Sequence, residues 1–429
     1  MNIIQLTPGT GSFHCGTCLR DHAMVKAMRA RGHDVHMVPL YLPFVTDGDD
    51  EGSVDEVFYG GVNVYLQQKS WLFRKAPQWF RKLFNGKGLL SWASKFAGST
   101  DSKQLGEMTC SMLAGEEGKQ SLELEHLISW LKTQEKPDVI CLSNVLLVGM
   151  AKRLKEALGC KIVCFLQGED AFLDSLGGTW KEKAWQLTTD RCKQVDSFVA
   201  VSDYYGALMQ ERLQLTSNKM HVVHNGIDLT GFEPVKEIIA PPVIGFMARM
   251  TPAKGLHTLV DAFIEIRKND RVSDVKLSVA GALTDNDTQY VQQQKDKLAE
   301  AGLLEEADFH PNVTREEKIA CLQSLSVLSV PATYGESFGL YILEAWAAGV
   351  PVVQPRSGAY PELIEKTNAG VLCAHDDAKA LASAIEILLM RPTDAKGMGQ
   401  IGRDAVEREF NIGVMVERVL AVYDNVISG

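Results

Sequence analysis

The sequence predicts an α/β protein made of two doubly wound units, each a parallel sheet with helices on both faces. Three observations predict this class. Short runs of β-branched and other apolar residues alternate with segments of helical spacing. The alternation restarts after a proline-bracketed stretch at residues 233–242, EPVKEIIAPP. The chain also has 429 residues, too many for one ordinary core and suited to two domains.

The strand candidates follow one another at fairly regular intervals. In the first half they are NIIQL (2–6), DVHMVPL (34–40), VNVYL (62–66), DVICL (138–142), KIVCFL (161–166), SFVAVS (197–202) and MHVVHN (220–225). In the second half they are PVIGFMAR (242–249), VKLSVAG (275–281), LSVLSVPA (325–332), VPVVQP (350–355) and GVLCA (370–374). Helices are predicted between most of them, including residues 18–31 and 145–158.

The domain boundaries follow from this rhythm. We expect an N-terminal Rossmann-like domain over residues 1–235 and a C-terminal Rossmann-like domain over residues 236–408. Residues 409–429 lie beyond the last strand and have apolar residues close to helical spacing. They are predicted to form a helix that packs back on the N-terminal domain.

Composition limits the setting in which the protein works. Its net charge of −10 argues against general nucleic-acid binding. Nine cysteines, an odd number scattered along a long chain, indicate reduced thiols and no disulfide framework. No run approaches 18 apolar residues, and the first residues resemble no signal peptide. We therefore expect a cytoplasmic protein.

In doubly wound sheets the loops after the strands bind ligands. The loop after the first strand, TPGTGSFHCGTC (7–18), departs from a dinucleotide fingerprint because His14 stands where the third glycine is needed. Gly16 lies at a helix start, where free amides favour an anion. An ordinary turn explains these glycines equally well.

The first strand of the second half is followed by two cations, Arg249 and Lys254, and then by a helix. Cations stabilise the C-terminal end of a helix and not its start. The pair is therefore interpreted as an anion clamp, with solvated surface charges as the alternative.

Two glutamates stand in the otherwise apolar run YGESFGLYILEAWAAGVPVVQP, residues 334–355. Glu336 lies at a strand end and Glu344 inside a helix predicted over residues 338–348. Neither has a lysine or arginine three or four residues away. The sequence therefore favours a ligand as the partner of both carboxylates over a salt-bridged structural pair.

These residues resemble a known family. Glu336 and Glu344 are similar to the E-x7-E signature of retaining glycosyltransferases of family 4, which have the two-domain GT-B fold. Arg249 and Lys254 resemble the R-x4-K pair of the family, NGID (225–228) its N-G-V-D, and RGHDV (31–35) its R-G-H-E-V. The elements follow the family order over nearly the whole chain.

The resemblance implies a role for each matching residue. It implies that Arg249 and Lys254 bind a diphosphate, that Glu336 binds hydroxyls of the donor sugar, and that Glu344 binds the ribose. Glu336, Arg249 and Lys254 would be the catalytic set. The whole donor-binding set would be Gly16, Arg249, Lys254, Glu336, Ser337, Phe338, Gly339 and Glu344, and the acceptor-side residues Gln167 and His14.

The resemblance also implies the reaction. A nucleotide-diphosphate sugar would be a substrate and no cofactor would be needed. The acceptor would be a glycan, a lipid or a small molecule, bound by the N-terminal domain. The resemblance implies that the configuration at the anomeric carbon is retained by a front-face substitution, without a metal. The D-x-D triplets at residues 47–49 and 285–287 are accordingly interpreted as solvated loops.

Two positions depart from the family pattern. Cys15 and Gly16 stand where two glycines are usual, and Gln167 stands where many members have a histidine. Glutamine can orient a hydroxyl but cannot titrate, so an acid or base role at this position is disfavoured. Cys15 and Cys18 form a C-x-x-C, and plain loop residues lining the acceptor side are favoured over a redox or metal site.

A basic and aromatic segment spans residues 69–96. It has seven lysines and arginines and seven aromatics, with no acidic residue. It resembles an interfacial segment that contacts an anionic glycan or the inner face of a membrane. A helical flap whose aromatics pack on its own domain is an equal alternative.

Other functions remain open at this point. One is a protein that binds a nucleotide sugar or an anionic glycan without turnover. Others on the same fold are a sugar phosphorylase and a nucleotide-sugar epimerase.

Overall fold

The computed structural model describes residues 1–9, 16–41, 58, 102–234, 237–268, 271–272 and 274–429. The chain divides into two compact units. The first comprises Met1–Val223 and Val416–Gly429, and the second comprises His224–Met415. Residues 224–235 are predicted to belong to the N-terminal domain, but they fall within the second compact unit.

The first unit is a parallel sheet with the order β2-β1-β3-β4-β5-β6 among the described strands. Its strands are β1 Asn2–Thr7, β2 Asp34–Pro39, β3 Val139–Leu142, β4 Lys161–Leu166, β5 Ser197–Ala200 and β6 Met220–Val222. Its helices are α1 Gly16–Arg29, α2 Ser102–Leu113, α3 Ser121–Leu131, α4 Ala151–Leu158, α5 Asp170–Ser175, α6 Trp180–Cys192 and α7 Asp203–Arg212.

The second unit is a parallel sheet with the order β12-β11-β10-β7-β8-β9. Its strands are β7 Val243–Met247, β8 Lys276–Gly281, β9 Ala307–Pro311, β10 Val327–Leu328, β11 Val352–Pro355 and β12 Gly370–Cys373. Its helices are α8 Leu256–Arg267, α9 Thr288–Glu300, α10 Arg315–Gln323, α11 Leu340–Ala347, α12 Tyr360–Thr367, α13 Ala378–Leu389 and α14 Pro392–Glu409. This is the strand order of Rossmann folds.

The central strands form where the sequence has continuous apolar runs, because helices cover both faces of a parallel sheet. Every residue of β3 and β5 is buried, as are all but the first of β1 and β4. The predicted fold class, two doubly wound α/β units, is confirmed at this level.

The structure differs from the strand predictions at two places, and one further candidate is not tested. The candidate at residues 62–66 lies outside the described residues. β9 has no counterpart among the predicted strands, because it is a largely exposed edge strand of mixed polarity, ADFHP, without an apolar run. The candidate at residues 325–332 pairs as a strand only at Val327–Leu328, since the chain turns away there towards the loop that carries Glu336.

The last helix, α15 Ile412–Ser428, begins in the second unit and continues into the first. Its buried side chains recur at helical spacing and include Val416, Val419, Leu420 and Tyr423. This is the segment that the apolar pattern of residues 409–429 predicted to be helical.

No helix in the described part of the chain is both long enough and apolar enough to cross a membrane.

Candidate functional site

The predicted donor residues lie at the point where the strand order of the second sheet reverses. β7 is followed by β8 on one side, and β10 lies against β7 on the other side. Loops that leave such neighbouring strands diverge and open a crevice at their carboxyl ends. The loop after β7 carries Arg249 and Lys254, and the loop after β10 carries Glu336.

Backbone contacts hold these two loops together. The Thr333 amide donates to the Ala253 carbonyl at 2.9 Å. Gly255, which precedes α8, has φ +75°, and a Cβ at this position would lie 1.8 Å from the Pro331 carbonyl oxygen. Only glycine fits both the dihedral angle and the close approach. The loop of Lys254 is therefore pressed against the start of the loop of Glu336.

Lys254 and Glu336 form an ion pair across the two loops. Lys254 Nζ donates to Oε2 of Glu336 and also to the Tyr334 hydroxyl, at 2.6 Å. Glu336 is buried, with 7% of its surface exposed. The pair thus lies in a largely desolvated position, where losing one partner strands the charge of the other.

The electrostatics of this pair keep the lysine charged. Burial alone would lower the pKa of Lys254, but the charge of Glu336 and the contact with Tyr334 outweigh it, and the pKa lies above its ordinary value. Burial and the same glutamate raise the pKa of Tyr334 to about 12. At neutral pH the cluster therefore contains an ammonium ion and a neutral phenol.

Two further tyrosines lie beside Glu336. Tyr341, on the first turn of α11, donates to Oε2 of Glu336 at 3.0 Å. Its hydroxyl also contacts that of Tyr360, which donates to the Val330 carbonyl at 3.1 Å. Tyr334 donates to Oε2 as well, at 3.2 Å.

Glu344 lies on α11 and pairs with a lysine of another helix. Lys318 Nζ, on α10, is 2.6 Å from Oε1 of Glu344. Both side chains are partly exposed, at 21% for Lys318 and 19% for Glu344. The pair is accessible to a ligand in a way that a core ion pair is not.

The salt-bridged alternative, which the sequence disfavoured, is therefore present at both glutamates. A ligand as a further partner of either carboxylate stays a prediction. Lys254 lies 82 residues before Glu336, and Lys318 lies 26 residues before Glu344. Local spacing reports only on lysines and arginines one helical turn away. The pairing depends on which strands are neighbours in the sheet, and local spacing does not contain that information.

Arg249 differs from Lys254. Its side chain is exposed and makes no hydrogen bond or ion pair with the described part of the chain. Glu336 is followed by Ser337 and Phe338, both buried, and then by Gly339, which caps α11 with φ +93°. As at any helix start, the first amides of α11 have no partner inside the helix.

The predicted residues of the first unit are only partly described. His14 and Cys15 lie outside the described residues, as do the triplet at residues 47–49 and the segment at residues 69–96. Gly16 is the exposed first residue of α1, as expected for a residue at a helix start.

Cys18 is 1% exposed inside α1, with its sulfur 3.6 Å from the Thr7 hydroxyl. The interpretation of Cys18 as a loop residue lining the acceptor side is therefore wrong. The helix begins two residues before it and turns its side chain towards the sheet.

Gln167 follows β4 and joins a network at the carboxyl end of the first sheet. Its Nε2 donates to the Ser143 carbonyl, just after β3, at 2.6 Å. Its backbone amide and that of Gly168 donate to Oε2 of Glu169 at 2.8 and 3.0 Å. The Tyr205 hydroxyl donates to the same oxygen at 3.0 Å.

The network contains buried carboxyl groups that the sequence analysis did not name. Burial raises the pKa of Glu169 despite the amides and the Tyr205 hydroxyl that donate to it. Burial also raises the pKa of Asp21 on α1, although Arg20 and the Ser143 hydroxyl oppose the shift. Glu169 could have been found, because a carboxylate three residues beyond a predicted strand end is a site signal. Asp21 sits inside a helix and gave no such signal.

The second D-x-D triplet forms a short turn, Asp285–Asp287, before α9. The Thr284 hydroxyl donates to Asp287 at 2.6 Å. Asp285 is exposed, as expected for a loop residue in solvent.

An open cavity of about 440 Å³ lies between β9 and α10. Phe309, His310, Pro311, Val313, Glu317, Ala320 and Cys321 line it. None of the predicted site residues is among them.

Comparisons with known proteins agree with the geometry. Residues 233–405 match the sequence model of the family described as glycosyl transferases group 1, and residues 116–230 match that of glycosyltransferase family 4. A curated MMP alpha-(1->4)-mannosyltransferase of Mycolicibacterium hassiacum is 26% identical over 237 residues, which is 55% of this chain. The matched region spans only 56% of that relative's length.

Solved structures match over the whole chain. The sucrose-phosphate synthase of Thermosynechococcus elongatus has a TM-score of 0.74 at 17% identity and covers 100% of this chain and 99% of its own. Anabaena HepE, in complex with UDP and glucose, has a TM-score of 0.71 at 16% identity and covers 99% of both chains. Likeness at this identity establishes the fold, and it confirms the predicted GT-B class.

Proposed function

We propose that this chain, which belongs to the group 1 glycosyltransferases, transfers a sugar from a nucleotide-diphosphate sugar to a glycan, lipid or small-molecule acceptor, with retention and without a metal. The observation that carries the proposal is the meeting of Lys254 and Glu336 at the strand-order reversal of the second sheet, with Arg249 exposed nearby in sequence. That crevice is where sheets of this type bind nucleotides.

In this proposal the cations bind the diphosphate. Lys254 stays protonated because of Glu336, and Arg249 has its guanidinium exposed. The amides of Phe338 and Gly339 at the start of α11 add donors near the phosphates and the sugar. Lys254 is held by Glu336 and Tyr334 before the donor arrives, so its charge can stabilise the negative charge that develops on the leaving diphosphate.

The carboxylates bind hydroxyls of the donor. Glu336 accepts from the donor sugar and Glu344 from the ribose, with Lys318 beside it. The proposal also assigns Gly16 to donor binding, and Gln167 and His14 to acceptor binding. HepE, which is similar in fold, was solved in complex with UDP and glucose.

The reaction exchanges one bond for another on the same face of the sugar. The bond from the anomeric carbon to the diphosphate oxygen breaks, and a bond to the acceptor oxygen forms. The acceptor proton passes to the departing phosphate oxygen. No residue of the chain has to carry that proton.

The test begins with calorimetric binding of a panel of nucleoside diphosphates to the full chain. The sugar forms of the best binder are then incubated with glycan and lipid acceptors. We expect Lys254→Ala and Glu336→Gln each to lower turnover about a hundredfold. Lys193→Ala, which breaks an exposed ion pair with Asp190 in the first unit, is the matched control and leaves turnover unchanged.

Binding of the nucleoside diphosphate should persist when a chelator is present, because cations of the protein hold the phosphates. A strict requirement for magnesium or manganese would contradict the metal-independent part of the proposal. Tight binding of the nucleotide sugar without any turnover would favour a binding protein. Release of a sugar phosphate would favour a phosphorylase, and an altered sugar still attached to its nucleotide would favour an epimerase.

A further inference from the structure

The carboxylate of Glu336 is held by one of its two oxygens. Lys254, Tyr334 and Tyr341 all donate to Oε2. Oε1 takes no hydrogen bond from the part of the chain that the structure describes. Three donors on one oxygen fix both the position and the rotation of the carboxylate plane, and they leave the other oxygen for a ligand.

Tyr341 is the donor with the firmest support. It is 8% exposed and lies on α11, the helix that follows the Glu336 loop. Its hydroxyl rests against that of Tyr360 on α12, which is anchored to the Val330 carbonyl at 3.1 Å. The Val330 amide donates to Oε1 of Gln354, on the neighbouring strand β11, at 3.1 Å. Tyr341 is thus backed by two strand ends and two helices.

The hydroxyl protons available to these hydrogen bonds can be counted. Two hydroxyl protons serve three contacts, namely Tyr341 with Glu336, Tyr341 with Tyr360, and Tyr360 with the Val330 carbonyl. Burial raises the pKa of both tyrosines well above the ordinary value, so both hydroxyls stay protonated. A carboxylate attracts a donor more strongly than a neutral hydroxyl does. The proton of Tyr341 therefore points to Glu336 when Glu336 is ionised.

We infer that Tyr341 is a positioning residue: its hydroxyl holds Oε2 of Glu336 so that Oε1 is directed at the hydroxyls of the donor sugar. The inference rests on the proposed function for the identity of the ligand. It assigns to Tyr341 a role exerted entirely through Glu336, without contact with the substrate.

A double-mutant cycle tests this role. Tyr341→Phe removes one hydroxyl and keeps the buried ring. We expect it to lower kcat about tenfold while the Kd of the nucleoside diphosphate stays within about twofold, since only the sugar contact is disturbed. In the Glu336→Gln background the same substitution should have almost no further effect. A merely structural role would lower turnover by the same factor in both backgrounds.

Tyr423→Phe is the matched control. It also removes the hydroxyl of a buried tyrosine, but from the part of α15 that belongs to the first unit. We expect its turnover to equal that of the wild type. Melting temperatures of all variants identify any that fold poorly. The inference would be overturned if Tyr341→Phe lowered turnover by the same factor in the wild-type and Glu336→Gln backgrounds. It would also be overturned if the substitution did not lower turnover in the wild-type background.

A ligand-free crystal structure of the Tyr341→Phe variant separates this inference from the proposed function. The inference expects the Glu336 carboxylate to rotate once the donor at position 341 is gone. A carboxylate that keeps its orientation would overturn the inference even in a protein with normal turnover. If the wild type transfers no sugar, the proposed function fails, and the rotation still tests the positioning by Tyr341.

Discussion

Buried carboxylates in the two units are surrounded by different kinds of donor. Within the described residues, Glu336 has a lysine among its donors, whereas Glu169 accepts from backbone amides and from the Tyr205 hydroxyl. A nearby cation compensates the cost of burying a negative charge more fully than neutral donors do. Neutral donors therefore leave part of the cost of burying Glu169 uncompensated, and its pKa is raised.

Glu169 should make the protein more stable in mild acid. Its pKa in the folded state is raised above the ordinary value of 4.5. Just above pH 4.5, the folded protein therefore binds a proton at Glu169 that the unfolded chain does not bind. The free energy of unfolding then rises as the pH falls through this window, by about 1.4 kcal/mol for each unit of pKa shift.

Comparing wild type with Glu169→Gln isolates this contribution, because Asp21, which also has a raised pKa, is present in both proteins. The measurement is urea unfolding at several pH values from 7 down to 4.5, the ordinary pKa of a glutamate. We expect the stability of the wild type relative to the variant to increase on acidification. Two curves that run parallel would contradict the assignment.

At the scale of elements, the geometry of the site depends on turns next to the helices. Gly358 precedes α12 and has φ +59°, and a Cβ there would lie 2.4 Å from the Glu336 amide nitrogen and 2.5 Å from its carbonyl oxygen. The Ala359 amide also donates to the Glu336 carbonyl at 2.9 Å. The turn before α12 therefore fixes the backbone that carries Glu336.

Gly358→Ala should displace this backbone. We expect turnover to fall at least about tenfold, because a small misplacement of a preorganised group is costly. Gly397→Ala is the matched control: this glycine lies exposed inside α14, and a Cβ would meet nothing within 4 Å. The control should leave turnover unchanged and raise stability by up to about 1 kcal/mol. Full activity in the Gly358→Ala variant would contradict the role of this turn.

At the scale of the whole molecule, charge is unevenly distributed along the chain. The protein has a net charge of −10, yet residues 69–96 contain seven lysines and arginines and no acidic residue. This segment lies outside the described residues, so the interfacial interpretation stays a prediction. Its mixture of cations and aromatics suits an anionic surface, where each basic residue contributes about 1 kcal/mol.

Sedimentation with vesicles tests this interpretation. We expect the protein to bind anionic vesicles at low salt, to be released at high salt, and to ignore neutral vesicles. Replacing Arg74, Lys75, Arg81 and Lys82 with glutamine should weaken the binding. Absence of binding at low salt would contradict the membrane contact. The remaining interpretations would then be a soluble acceptor or a helical flap that packs on its own domain.

The sequence by itself determined the fold class and the location of the candidate site. Continuous apolar runs predict central parallel strands because both faces of such a sheet are covered, and ligand residues are then expected just after the strands. Arg249, Lys254 and Glu336 all lie there. The exposed edge strand β9 escaped prediction because it lacks the apolar run on which this reasoning depends.

Only the tertiary structure decided which side chains meet. Lys254 pairs with Glu336 because β7 and β10 are neighbours, and Lys318 on α10 reaches Glu344 on α11. The tyrosines around Glu336 converge from one loop and two helices. The two ion pairs join residues 82 and 26 positions apart. Local spacing does not contain the strand order that brings such residues together.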